Sequence, residues 1–188
     1  MLDENFMVKI IDFGLAAPVQ GRDGSGYLKT ALGTYGYMSP ELHLGREYSG
    51  EKVDVFALGV ILFVIFSKHP PFNAATPQDP FYVALASKSY SIFWKKHTEY
   101  KPNGDAFFSA EFKDLFERMS ELDPDTRITI EEVMKHPWYV KECTINQTDI
   151  KEIFSKRFEN LNEELSRQSS SAESAIQRYE AYSSPSES

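Results

Sequence analysis

The sequence predicts a mainly α-helical protein with one short β-hairpin at its N-terminus. Three observations carry that expectation. Val53 to Phe66 is an apolar run broken near its start only by Asp54. Three later segments open on residues that cap helices: Asp79 before Pro80, Ser109, and Thr129 followed by Glu132. Strand-like alternation is confined to the stretch Met7 to Ile11.

With 188 residues, 41% hydrophobic and 14% aromatic, the chain has material for one domain with a substantial core, plus a tail. A formal net charge of -8 argues against a dedicated nucleic-acid or anionic-membrane surface, since both are bound through clustered Lys and Arg. The single cysteine, Cys143, excludes an internal disulfide framework and fits a reducing compartment. No charged, apolar leader follows Met1, so the expected location is cytoplasmic. His43, His69, His97 and His136 lack metal-ligand spacing and are each read as structural.

In chain order, Leu2 to Phe6 and Met7 to Ile11 read as two short strands around an Asp/Asn turn, with Val8 and Ile10 alternating against Lys9. Residues 15 to 32 read as a surface loop rich in glycine. Leu42 to Gly45 finishes a short helix, with Gly45 as its stop. The run Val53 to Phe66 is shorter than the roughly 20 apolar residues a membrane span needs, so it reads as a fully buried core helix. An unpaired carboxylate inside it would cost several kcal/mol, so Asp54 is expected to hold backbone N–H groups of another segment.

The cluster His69-Pro70-Pro71-Phe72 ends this helix. The next one starts at Pro80 and presents Phe81, Tyr82, Leu85 and Ala86. From Lys88 to Phe108 the pattern is irregular and aromatic. Phe93-Trp94-Lys95-Lys96 could stack on nucleic acid, but in an acidic chain without a second such patch core packing is the expectation. Ser109 opens an amphipathic helix carrying Phe112, Leu115, Phe116, Met119 and Leu122, and Thr129 opens the last helix of the domain, closed by Pro137.

Beyond the domain, residues 146–168 place Ile150, Ile153, Phe154, Phe158, Leu161 and Leu165 at helical spacing. This amphipathic helix is suited to dock on its own domain, self-associate or bind a regulator. Its acids match or outnumber its bases, which argues against calmodulin. Residues 169–188 are serine-rich and expected to be disordered, a phosphorylation substrate in that state.

Four motifs stand in order: Asp12-Phe13-Gly14, then Gly33-Thr34-Tyr35-Gly36-Tyr37-Met38 running into Ser39-Pro40-Glu41, then Asp54-Val55-Phe56-Ala57-Leu58-Gly59, then Leu122 to Arg127. Together they resemble the second part of a protein kinase domain, of the serine/threonine type that includes calcium/calmodulin-dependent and AMP-activated kinases. The resemblance covers residues 1–140, with 12–41 as the activation segment. It implies the helical C-lobe of that fold. It implies ATP and Mg²⁺ as cofactors, with Asp12 as a metal ligand, Phe13 packed inward and Gly14 beside the metal. It implies Thr34 in contact with the catalytic base, a Thr30 phosphorylated by an upstream activating kinase, with Ser25 and Tyr27 as weaker alternative sites, and protein Ser/Thr substrates. It implies a buried ion pair between Glu41 and Arg127. Tyr35, Ser39 and Phe56 depart from the commonest residues at their positions.

A glycine-rich loop, a phosphate-binding lysine, its glutamate partner and a His-Arg-Asp catalytic loop are not found among the 188 residues. The N-lobe and catalytic loop are thus expected to be absent, the chain being a fragment inactive on its own. In kinases the aspartate matching Asp54 holds the backbone of that loop, so here Asp54 is expected to be solvated and its helix partly uncovered. The alternative is a non-catalytic, pseudokinase-like interaction module with Phe81, Tyr82 and the tail helix as contacts.

Overall fold

The computed structural model describes residues 1–141 and 146–183 and divides them into two compact units, one of residues 12–141 and one combining residues 1–11 with the segment from 142 onward. Cys143 lies outside the described residues. No helix is long and apolar enough to cross a membrane among the described residues.

Unit 12–141 is helical. Two 3-10 turns, Phe13–Leu15 and Tyr35–Tyr37, precede α1 (Pro40–His43), and α2 (Gly50–Ser67) runs beneath α3 (Pro80–Ala86), α4 (Tyr90–Thr98) and α5 (Ala110–Met119). Short α6 (Ile130–Val133) and α7 (Pro137–Val140) complete it. The caps are the expected ones. The Asp79 carboxylate accepts from Phe81 N and Tyr82 N at 2.9 and 3.0 Å, Ser109 Oγ accepts from Phe112 N, and Thr129 and Glu132 form a reciprocal capping box. Asp79 does more than cap, because its other oxygen accepts from Asn73 N at 2.8 Å and ties the Pro-Pro loop to α3.

Four expectations are corrected. Pro137 opens α7 rather than closing the preceding helix, since its fixed φ and missing N–H suit a first turn. α5 stops at Met119, which leaves Leu122 exposed in the following turn. The N-terminal hairpin reduces to a single antiparallel bridge, Leu2 with Val8, flanked by Lys9 N donating to Met1 O. Asp3 Oδ1 binds Asn5 N and Met7 N inside the turn and Phe6 adopts a positive φ, so backbone groups are satisfied locally and no strand ladder grows among the described residues. Finally, the serine-rich segment expected to be disordered is helical to Ser183, as part of α8 (Gln147–Ser183). No Gly or Pro interrupts residues 147–183, helix formers such as Ala172, Glu173, Gln177 and Ala181 recur, and Ser166 and Ser170 return their hydroxyls to carbonyls four residues back. Residues 184–188 lie outside the described residues.

The core is aromatic. Phe63 of α2 is fully buried, ringed by His69, Phe93, Trp94, His97, Phe108 and Phe116 at centroid distances of 4.8 to 6.1 Å. α4, for which the sequence offered only irregular aromatics, forms because Phe93, Trp94 and His97 fall on one helical face against this cluster. The Phe93-Trp94 pair is therefore core, not a nucleic-acid platform. α5 packs so close to α2 at Gly59 that a Cβ there would lie 3.0 Å from Met119 Cβ.

His97 is buried among these rings, and desolvation first, with His69 stacked 5.3 Å away second, pushes its imidazole down to about 4. The folded state thus holds it neutral, whereas the unfolded chain takes up a proton near pH 6.5. Its contribution is complete above pH 6.5 and is lost as pH falls toward 4, by up to about 3 kcal/mol. Urea unfolding from pH 7 to 4 is expected to show this decline, and His97→Gln to flatten it.

Candidate functional site

The segment 12–41 is fastened to the helices at its C-terminal end. Ser39 to Leu42 enter α1 buried, with Pro40 presetting the first turn and Gly45, at φ 62, following its end. That places Glu41 opposite Arg127, which the turn from Asp123 folds under α2. Arg127 Nη1 and Nη2 donate to the two Glu41 oxygens at 2.7 and 3.0 Å. Nη1 also donates to Lys52 O at 2.9 Å and Nε to Glu121 O at 3.0 Å, while Lys52 Nζ returns a bond to Arg127 O. The guanidinium lies 5.1 Å from the Phe56 ring centroid. A buried arginine with its fork satisfied in this way joins α1, α2 and the turn after α5. Phe56, which departs from the commoner tryptophan, supplies the platform.

A second tie was not visible in the sequence. Leu28 and Tyr48 form an antiparallel bridge with backbone bonds of 2.8 and 3.0 Å, and Tyr48 Oη donates to Thr30 O at 2.8 Å. A tyrosine in the short connection between α1 and α2 carries no local signal of this role. Thr30 is exposed beside Lys29, whose ammonium pairs with Glu47 at 3.1 Å and is held charged by it.

Between these ties opens a cavity of about 550 Å³ whose lining includes Gly14, Thr30, Thr34, Tyr48 and Asp54. Thr34 is exposed there and its carbonyl accepts from Tyr37 N. Asp54 is exposed and makes no hydrogen bond or ion pair among the described residues; desolvation by its neighbours raises its carboxyl above the ordinary value. Its field in turn adds to the upward push that burial gives Tyr48. α2 is correspondingly bare along Asp54, Leu58, Ile61 and Ile65, so the solvated Asp54 and partly uncovered helix expected from the resemblance are found, while the fully buried helix read from its apolar run alone is corrected to one covered on a single side. Its sequence is apolar on every face, but α3, α4 and α5 cover only the face of Phe56, Val60 and Phe63. With no partner to lose, Asp54→Asn is expected to change the unfolding free energy by no more than about 0.5 kcal/mol, measured by urea titration.

Asp12 and Phe13 do not line the cavity. Asp12 takes a left-handed conformation, φ 62, and its Oδ1 accepts from Gly14 N at 3.4 Å. Phe13 is 71% exposed, which corrects its expected inward packing: the whole segment 12–20 is exposed and offers the ring no apolar bed. Tyr82, the suggested contact of an interaction module, is also corrected. It is buried against Phe72, and its hydroxyl is pushed up by that burial.

Comparison with known proteins bears on the same residues. The protein kinase domain family matches residues 1–139. This chain belongs to that family. It is 37% identical over 168 residues to a probable serine/threonine-protein kinase MARK-A of Dictyostelium discoideum, covering 89% of this chain and 14% of that protein. It is 37% identical over 146 residues to CBL-interacting protein kinase 26 of Oryza sativa subsp. japonica, covering 78% and 27%. It is 34% identical over 141 residues to CBL-interacting serine/threonine-protein kinase 13 of Arabidopsis thaliana, covering 75% and 26%. The chain thus spans well under a third of each of these relatives, and the family is that of serine/threonine protein kinases.

Proposed function

We propose that these 188 residues are the activation segment and helical lobe of an intracellular serine/threonine kinase that, as a whole protein, transfers the γ-phosphoryl of ATP to Ser or Thr of protein substrates. The observation that supports this best is the segment from Asp12-Phe13-Gly14 to Glu41, anchored through the bidentate Glu41–Arg127 pair.

Asp12 fits a Mg²⁺ role as one ligand among several. Gly14 N engages Oδ1, no donor holds Oδ2 among the described residues, and the group is exposed to a ligand that retains several waters. When bound, the metal neutralises charge on the nucleotide phosphates. Thr34 is assigned to hold the base that accepts the substrate hydroxyl proton. Thr30 is the proposed site for an upstream kinase: its exposure admits a modifying enzyme, and its carbonyl, held by Tyr48, fixes where a phosphate would stand. Transfer is mostly positioning and charge stabilisation by groups acting together, so Asp12 and Thr34 alone leave these 188 residues inactive.

Protein immunoprecipitated from its own cells with an antibody to the tail tests this reading. With ATP and Mg²⁺ it is expected to label a protein substrate on serine and threonine. Labelling on tyrosine, or none in the presence of active control kinases, overturns the proposal.

A further inference from the structure

The kinase reading leaves α8 unused. This helix of 37 residues would extend about 55 Å, and its first turns hold the N-terminal segment: Phe154 stacks one ring face on Phe6 at 5.1 Å, and Lys151 Nζ donates to Asn5 Oδ1. Further along, Phe158, Leu161 and Leu165 are 61, 50 and 52% exposed.

Their spacing is that of a two-helix seam rather than of a broad face laid on a globular core. Phe154, Phe158, Leu161, Leu165, Gln168 and Ala172 follow one another at alternating steps of four and three residues. Such a heptad keeps one stripe turned toward one partner helix. In the same register, Arg157 and Glu164 occupy the equivalent position beside the stripe in successive heptads.

We propose that α8 is a self-association element that pairs antiparallel with α8 of a second copy of this chain. Charge decides both the occupant and the direction. A parallel pair would set Arg157 against Asn162 and Glu164 against Ser169, with no ion pair at either place. An antiparallel pair centred between Phe158 and Leu161 sets Arg157 of each copy against Glu164 of the other, twice by symmetry. The same register packs Phe158 on Leu161 of the second copy and Leu165 on its Phe154. It overlaps the helices from Gln147 to Ala172, and the contact is isologous, so it closes at two copies.

Sedimentation equilibrium of the full 188-residue chain tests this. The wild-type chain is expected to pass from monomer to dimer with concentration, and Leu161→Asp to remain monomeric. Arg157→Glu alone, or Glu164→Arg alone, is expected to weaken dimerisation about tenfold by turning two attractions into two repulsions. The two together are expected to restore it to within about threefold. That rescue is not produced by a substitution that merely unfolds α8. A monomer at every concentration, single charge changes without effect, or a double variant no better than the singles each overturns the antiparallel pairing.

Discussion

Arg127→Ala is expected to lower the unfolding free energy of the helical unit by about 3 to 5 kcal/mol, the cost of leaving a buried carboxylate without its partner. Arg127 is almost wholly buried, and its removal leaves the Glu41 carboxylate unpaired and takes a donor from both Lys52 O and Glu121 O. The Phe56 ring loses its covering guanidinium in the same step. A change of that size shifts the thermal midpoint by about 10 to 20 °C in a unit of this length. Arg127→Lys is expected to recover little, because a single ammonium does not span both Glu41 oxygens and the two carbonyls. Circular dichroism melts of the three chains decide the matter. A loss below about 1 kcal/mol for Arg127→Ala would show that the pair does not hold the segment.

Phe63→Ala carries the second large effect, about 3 to 5 kcal/mol. The ring stands at the meeting of α2, α4 and α5, and truncation opens a void between Phe93, Phe108 and Phe116, which are themselves fixed by stacking on one another and on Trp94. The informative control lies two residues away on the same helix. Ile65 is 67% exposed, so Ile65→Ala is expected to change stability by no more than about 0.5 kcal/mol. Equal losses at both positions, read from urea titrations, would mean that the bare side of α2 is covered in solution. Against a usual total of about 5 to 15 kcal/mol, either large loss leaves little stability in reserve.

Features that depend on local chemistry were legible in the sequence. Asp79, Ser109 and the Thr129–Glu132 pair cap where their side chains reach their own first turns, and Gly45 stops α1 through a conformation that glycine adopts freely. The Glu41–Arg127 pairing was reached by resemblance, since 86 residues separate the two and no periodicity connects them. What failed depended on what stands opposite. α2 is apolar all round, so its periodicity does not say which side stays bare and only the resemblance at Asp54 pointed to it, and nothing in Phe13 records that its segment is left without a bed. α4 was hidden because its aromatics form a helix through tertiary packing rather than propensity. Tyr82 read as a surface contact because the pattern of α3 does not reveal that Phe72 folds back over it. Tyr48 and the second oxygen of Asp79 were missed for a related reason: each acts on a loop, and a loop partner leaves no periodic trace.

The most direct measurement is phosphoryl transfer by the purified 188-residue chain, assayed with radiolabelled ATP, Mg²⁺ and a protein substrate beside the Asp12→Ala variant. The account predicts background incorporation for both, with the helical unit folded by circular dichroism. Transfer to serine or threonine that Asp12→Ala abolishes would contradict it, and would place the whole catalytic apparatus within these residues.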